Sequence, residues 1–127
     1  MNARFDVSGH IYIALTLLLT VYGQLVLKWQ MGSVGALPDA PVDKVWFLLR
    51  QFSNPWIVGG LAAAFLASLA WMAAMTRFEL NYAYPFMSLA FLIVMLFSVL
   101  FLGEQLNIAR VAGTVMVVAG LVVIARA

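Results

Sequence analysis

A row of polar residues crosses the first hydrophobic segment of this chain and ends on a cation. Thr16, Thr20, Gln24 and Lys28 are spaced four residues apart, so on a helix they share one face. An ammonium group and an amide one helical turn apart can hold a phosphate, the first as a point charge and the second as a hydrogen-bond donor. Because charge within a membrane is costly, it marks a functional site by default. The row predicts a site for an anion.

Lys28 also has a simpler interpretation, because it stands close to the end of its segment. A long cationic side chain there can reach the lipid headgroups without binding a ligand. No Asp or Glu lies inside any of the four hydrophobic segments, which favours an anionic ligand over a cationic one. Tyr84 and Ser88 form a second polar pair, one turn apart on the third segment. Glu104 lies in a connection, where a solvated charge is the ordinary interpretation.

The elements that must position these residues are membrane helices. The chain is 65% hydrophobic and 9% charged, against roughly 25% charged residues in soluble proteins. Four segments, near residues 11–31, 55–76, 80–102 and 106–125, are long enough for a bilayer core, which takes about 20 apolar residues. The predicted fold is therefore an all-α integral membrane protein, with residues 1–127 forming one four-helix domain. Pro85 either bends the third helix or lies in its first turn.

The first connection contains a predicted amphipathic helix near residues 40–52. Asp39 can cap it, Pro41 is tolerated in its first turn, and one side is apolar: Val42, Val45, Trp46, Leu49 and Phe52. Such a helix lies in the membrane interface, or it covers the end of the bundle as a plug. Asn54 before Pro55, and Asn107 before the last segment, are the expected caps of their helices.

Composition excludes several functions. The chain has no cysteine and a single histidine, His10, so neither a thiolate nor a histidine metal site is expected. A net charge of +2 without a basic run gives no support for nucleic-acid binding. No nucleophile with a neighbouring base, and no phosphate-binding glycine loop, is visible. We therefore expect neither an enzyme nor a cofactor.

Small residues indicate where helices approach one another. Gly59, Ala63 and Ala67 form a small-residue face on the second segment that favours packing within the chain. On the last segment, Gly113 and Gly120 return to one face and suit a contact between subunits equally well. Four short helices cannot readily enclose a large polar pathway alone, so we expect a homodimer or a heterodimer. The charges flanking the segments, Arg4 among them, are balanced and leave the orientation open.

Short motifs along nearly the whole chain resemble a known family. Gly23-Gln24-Leu25 followed by Lys28, then Ala83-Tyr84-Pro85 with Ser88, then Gly103-Glu104, resemble the small multidrug resistance-like branch of the drug/metabolite transporter superfamily. Within that branch, the chain is similar to the subunits of the aminoarabinose-phosphoundecaprenol flippase. The resemblance implies four helices per subunit, paired as a dimer around a shared cavity that Tyr84 faces. It also implies that the last helix contributes to the dimer contact.

The drug exporters of the same branch carry a glutamate on the first helix that binds protons and cationic drugs. Alignment on Gly23 and Lys28 places Thr20 at that position, so the exchange of protons for cations lacks its central group. The leading hypothesis is a flippase for a polyprenyl-phosphate-linked sugar or similar anionic lipid in the bacterial inner membrane. Lys28 and Gln24 would engage the phosphate. The remaining site residues would line the route of the polar head: Thr20, Tyr84 and Ser88.

Two alternatives remain open from the sequence. In the first, the chain exports lipophilic cations and Glu104 takes the place of the missing carboxylate. In the second, the chain transports nothing and acts as a membrane scaffold for a partner subunit.

Overall fold

The computed structural model describes residues 6–127, which include four helices long and apolar enough to cross a membrane. These spans are α1 (Val7–Met31), α3 (Pro55–Met75), the interrupted third span (Leu80–Phe101) and α6 (Ile108–Arg126). Between the first two spans lies α2 (Pro41–Arg50), followed by a short 3₁₀ turn. No strand occurs among the described residues, and the predicted all-α membrane fold is confirmed. Arg4 lies outside them.

Side-chain caps set where the long helices begin. The Asp6 carboxylate accepts a hydrogen bond from the Gly9 N–H at 2.8 Å, so α1 starts at Val7 rather than near residue 11. Asn54 accepts from the Trp56 N–H at 2.9 Å, and Asn107 from the Arg110 N–H at 2.9 Å, which confirms both predicted caps. The predicted cap at Asp39 is wrong. Ala40 precedes α2 without any side-chain cap, and Pro41 occupies the first turn.

The third span is a broken helix. It consists of α4 (Leu80–Ala83), a 3₁₀ turn over Tyr84–Met87 and α5 (Ser88–Phe101). Pro85 lies inside the turn, where its missing N–H prevents a continuous α-helical hydrogen-bond ladder. Of the two interpretations of Pro85, the interruption of the helix is therefore the right one.

Helices α1 and α3 cross at two glycines, Gly23 and Gly60. A Cβ atom on Gly23 would lie 2.9 Å from the Gly60 carbonyl oxygen, so the two backbones approach too closely for any side chain there. Ala63 and Ala67 continue this contact and are buried. The small-residue face does pack within the chain, as predicted, but its glycine is Gly60. A Cβ atom on Gly59 would meet only open space.

A cluster around His10 joins the start of α1 to the third span; we call this side of the bundle the His10 end. The His10 Nδ1–H donates to the Asp6 carbonyl at 2.7 Å, because a carbonyl can only accept. In the neutral ring, Nε2 then accepts from the Tyr82 hydroxyl at 3.1 Å. The Phe78 ring lies 4.9 Å from the imidazole, and the Arg77 guanidinium lies 3.8 Å from the Asp6 carboxylate. These contacts explain His10 as a structural residue.

The last helix packs loosely within the chain. It contacts α5 and the Tyr84–Met87 turn. The Thr114 hydroxyl donates its hydrogen bond to the Arg110 carbonyl at 2.8 Å, and the Met95 sulfur lies 3.3 Å from the same oxygen. Met116 and Val123 are exposed, and open space surrounds the positions where Gly113 and Gly120 would carry a Cβ atom. This face of α6 is left uncovered in a single subunit.

Asn54 should contribute more to stability than Asn107, although both cap a helix. The Asn54 amide also donates to the Gln30 side chain at 2.8 Å, which connects the end of α1 to the start of α3. Asn54→Ala should cost about 1–3 kcal/mol of unfolding free energy, the sum of a lost cap and a lost hydrogen bond. Asn107→Ala, as the matched control, should cost only the cap, about 0.5–2 kcal/mol. Unfolding of both variants in mixed micelles measures the difference, and equal costs would contradict the account.

Candidate functional site

A cavity of about 530 Å³ lies between α1, α5 and the start of α6. The cavity lies on the side of the bundle opposite the His10 end, where α1 carries Lys28 and where Glu104 follows the end of α5. We call this side the Lys28 end. Polar and apolar side chains both line it. The polar lining residues are Thr20, Gln24, Ser98, Glu104, Gln105 and Arg110. The apolar lining residues are Ala90, Phe91, Val94, Met95, Val99 and Leu106.

Gly103 places Glu104 at this cavity. Its φ of 69° lies in the left-handed region, which glycine adopts without steric cost and which commonly ends a helix. The chain therefore turns sharply after α5, and the Glu104 N–H donates to the Ser98 carbonyl at 3.1 Å. That hydrogen bond fixes the backbone of Glu104 against the end of α5. The Gly103-Glu104 motif thus has a direct structural purpose, which is to present a carboxylate at the cavity.

Lys28 lies at the rim of the cavity and faces Glu104. The distance from Lys28 Nζ to Glu104 Oε1 is 3.8 Å, and the two side chains are 65% and 42% exposed. An ion pair this exposed contributes only about 0–1 kcal/mol to stability, because water screens it. The pair can therefore separate at little cost when a ligand brings charges of its own.

Arg110 provides a second cation at the same cavity. Its guanidinium donates to the Gln105 carbonyl at 3.1 Å, which folds the side chain back over the third connection. The single hydrogen bond leaves other guanidinium donors for a ligand, and a guanidinium can bind a phosphate in a bidentate manner. Together with Lys28, it gives the Lys28 end two cations around one carboxylate.

A second cavity of about 400 Å³ lies toward the His10 end, between α1, α3 and the 3₁₀ turn. Thr16, Thr20, Ser68, Trp71 and Tyr84 are among its lining residues. Thr20 lines both cavities, so the two cavities adjoin along α1. The Thr16 hydroxyl donates to the Tyr12 carbonyl at 2.8 Å and is buried, so it is satisfied by its own helix.

The predicted site residues divide into two groups in the structure. Thr20, Gln24, Lys28 and Glu104 come together at or beside the larger cavity. Tyr84 lies in the smaller cavity, with its ring centroid 6.1 Å from that of Trp71. Ser88 begins α5, is partly buried, and is not a lining residue of either cavity. Whether any of these residues binds substrate remains a prediction.

Sequence reasoning missed Arg110 as a site residue. It considered this arginine only as a charge flanking the last span. A signal was present, since Arg110 lies three residues beyond the Asn107 cap and therefore inside the first turn of an apolar helix. A cation in that place needs a partner or an aqueous cavity. Ser98 was also missed; its hydroxyl donates to the Met95 carbonyl at 3.0 Å, so it contributes little polarity of its own.

The residues 6–127 include no group of His, Asp and Glu side chains that could hold a metal ion. The arrangement at the Lys28 end instead suits a ligand with a charged head and an apolar remainder, because Glu104 and Arg110 line the cavity together with apolar side chains and Lys28 lies beside it.

Comparison with known proteins gives one family. Residues 13–126 match the EamA-like transporter family. The chain is 29% identical over 123 residues to a Photorhabdus laumondii protein, covering 94% of this chain and 98% of that one. It is 33% identical over 121 residues to a protein of Erwinia tasmaniensis, covering 91% and 93% of the two chains. Both are named "Probable 4-amino-4-deoxy-L-arabinose-phosphoundecaprenol flippase subunit ArnF". No solved structure matches the chain.

Proposed function

This chain belongs to the EamA-like transporter family, and on that basis we propose that it is a flippase subunit for a polyprenyl-phosphate-linked sugar in the bacterial inner membrane. The observation that carries the proposal is the larger cavity, which Gln24 and Arg110 line and beside which Lys28 lies, 3.8 Å from the lining residue Glu104. The names of its relatives specify a sugar of the aminoarabinose type. The family describes transporters rather than enzymes, in agreement with the sequence prediction.

In the proposed mechanism, the polar head enters the larger cavity and the polyprenyl tail stays in the bilayer. Lys28 neutralises the phosphate as a point charge, while the Gln24 amide and the Arg110 guanidinium donate hydrogen bonds to its oxygens. Thr20 connects this cavity to the smaller one, where Tyr84 lies. The head therefore has a sequence of polar surfaces along α1 between the two ends of the bundle. Alternating exposure would come from subunits rocking against each other.

Two subunits are needed for this mechanism, because a single chain does not enclose the cavity on all sides. The uncovered face of α6, with open space at Gly113 and Gly120, suits close packing against a partner. The relatives are named as subunits, which supports an assembly. Both a second copy of this chain and a different chain fit the helix face.

Export of lipophilic cations is the less well supported candidate. Glu104 is the carboxylate at the larger cavity, but Lys28 lies 3.8 Å from it and offsets its charge. With Arg110 at the same cavity, a bare cation would face net positive charge. A resistance phenotype that disappears in Glu104→Gln would favour this candidate over the flippase.

A proteoliposome assay tests the proposed function. The protein is reconstituted into vesicles whose inner leaflet contains a polyprenyl-phosphate-linked amino sugar. A membrane-impermeant amine reagent is then added outside the vesicles. Labelling should increase with time in vesicles that contain the protein and stay at the background in vesicles without it. If the chain alone is inactive, co-reconstitution with a second flippase subunit should produce labelling. No labelling in either preparation would contradict the flippase and favour the scaffold.

A further inference from the structure

We infer that Glu104 selects lipids whose sugar carries a protonated amine, and that the Lys28–Glu104 ion pair is exchanged for two ligand contacts on binding. The inference rests on the proposed function and adds the substrate class that the site recognises. In the bound state, Glu104 would accept from the ammonium group of the sugar, and Lys28 would contact the phosphate. Glu104 is thus a specificity-determining residue rather than a proton carrier.

The first argument is the arrangement of charge. A ligand with a phosphate and an ammonium group carries a negative and a positive charge within a few bonds of each other. The Lys28 end presents the complementary set, because Glu104 and Arg110 line one cavity and Lys28 lies 3.8 Å from Glu104. Gly103 and the hydrogen bond to Ser98 hold the Glu104 backbone in place, so the carboxylate position is set before the ligand arrives. A site for a phosphate alone would gain nothing from such a carboxylate.

The second argument is the cost of leaving a charge unpaired. When Lys28 moves to a phosphate, Glu104 loses its partner at the moment when the ligand displaces water from the cavity. A neutral sugar leaves that carboxylate uncompensated, which is strongly unfavourable in a dehydrated site. A sugar with an ammonium group compensates it, so Lys28 and Glu104 are both paired before and after binding. Rejection of neutral sugars follows from the penalty as much as from the new contact.

The relatives' substrate agrees with this charge pattern. The sugar in their name is 4-amino-4-deoxy-L-arabinose, which carries an amine, and it is attached to a phosphate of the polyprenol. Glu104, which the alternative of cation export invoked, therefore also has a function in the flippase hypothesis.

The test compares two lipids that differ only at the amine. One is a polyprenyl-phosphate-linked amino sugar, and the other is the same lipid with its amine acetylated; both bind purified full-length protein in nanodiscs. The wild type should bind the free amine about tenfold or more tightly, as expected for one charge-assisted contact. Glu104→Gln should bind both lipids alike, and should bind the acetylated lipid more tightly than the wild type does, because no uncompensated carboxylate remains in the variant. Asp43→Asn, which removes a carboxylate from exposed α2 at the same end, should keep the full preference.

The outcomes separate this inference from the proposed function. If the wild type binds both lipids equally, Glu104 does not select amines, and the flippase proposal still stands. Full preference in Glu104→Gln would also overturn the inference. Equal weakening of both lipids in that variant would mean that Glu104 only positions Lys28. If the wild type binds neither lipid nor unsubstituted polyprenyl phosphate, the proposed function itself fails.

Discussion

Lys28→Ala should weaken binding of polyprenyl phosphate roughly 10- to 100-fold, which corresponds to losing one charge-assisted hydrogen bond of about 1.5–3 kcal/mol. We expect this loss because Lys28 can separate from Glu104 at little cost in free energy and contact the phosphate instead. Its side chain is 65% exposed, and its distance to Glu104 is 3.8 Å. Removing it also leaves Glu104 to repel the phosphate. Titration of the purified protein with a short-chain polyprenyl phosphate, followed by thermal shift, measures the effect.

Lys44→Ala is the matched control for this prediction. Lys44 is an exposed cation on α2 at the same end of the bundle, and unlike Lys28 it does not contact Glu104, the carboxylate that lines the cavity. Its removal should leave the affinity unchanged while altering the overall charge by the same amount. If both lysine variants lose affinity equally, the binding is a general attraction to positive charge. If neither does, Lys28 is only an interfacial anchor.

Gly23→Val should disrupt the helix pair at the centre of the fold. The Cβ atom would lie 2.9 Å from the Gly60 carbonyl oxygen, and this neighbour is backbone, so it cannot rotate away. Separating α1 from α3 loses the packing of Ala63 and Ala67 as well. Overpacking of this kind typically costs about 1–3 kcal/mol, so the free energy of unfolding should fall by at least that much. Unfolding in mixed micelles provides the measurement.

Gly59→Val is the control, because it introduces the same side chain one residue away from the crossing. The space around a Cβ atom on Gly59 is open, so the variant should unfold like the wild type. A Gly23→Val protein that is as stable as Gly59→Val would show that α1 and α3 do not approach as closely as the structure has them.

Much of the fold was predictable from the sequence, because bilayer thickness dictates the length of an apolar segment. The polar caps Asn54 and Asn107 could be read directly, since few residue types accept a hydrogen bond from the first helical turn. The prediction that Asp39 caps α2 was wrong, because the helix begins one residue later, after Ala40. A suitable residue type does not by itself set where a helix begins. Whether Gly59 or Gly60 faces α1 depends on how α3 is rotated about its axis. The spacing of small residues does not fix that rotation to within one residue.

The site was only half predictable. Thr20, Gln24 and Lys28 follow from spacing on one helix, where four residues bring side chains to one face. Glu104 and Arg110 reach the same cavity through the turn at Gly103 and the folding back of a side chain onto Gln105. Such tertiary contacts have no periodic signal. Tyr84 and Ser88 were paired by spacing and predicted to line the route of the polar head. They lie toward the His10 end, because alternate spans run in opposite directions.

Native mass spectrometry of protein released gently from membranes, with the wild type beside Lys28→Gln, tests the central claim most directly. The account predicts that the wild type retains a polyprenyl-phosphate species and that the variant loses it, while both keep the same subunit stoichiometry. Equal retention of that lipid in both proteins, or no lipid phosphate bound to the wild type, would contradict the claim that the Lys28 end binds an anionic lipid head.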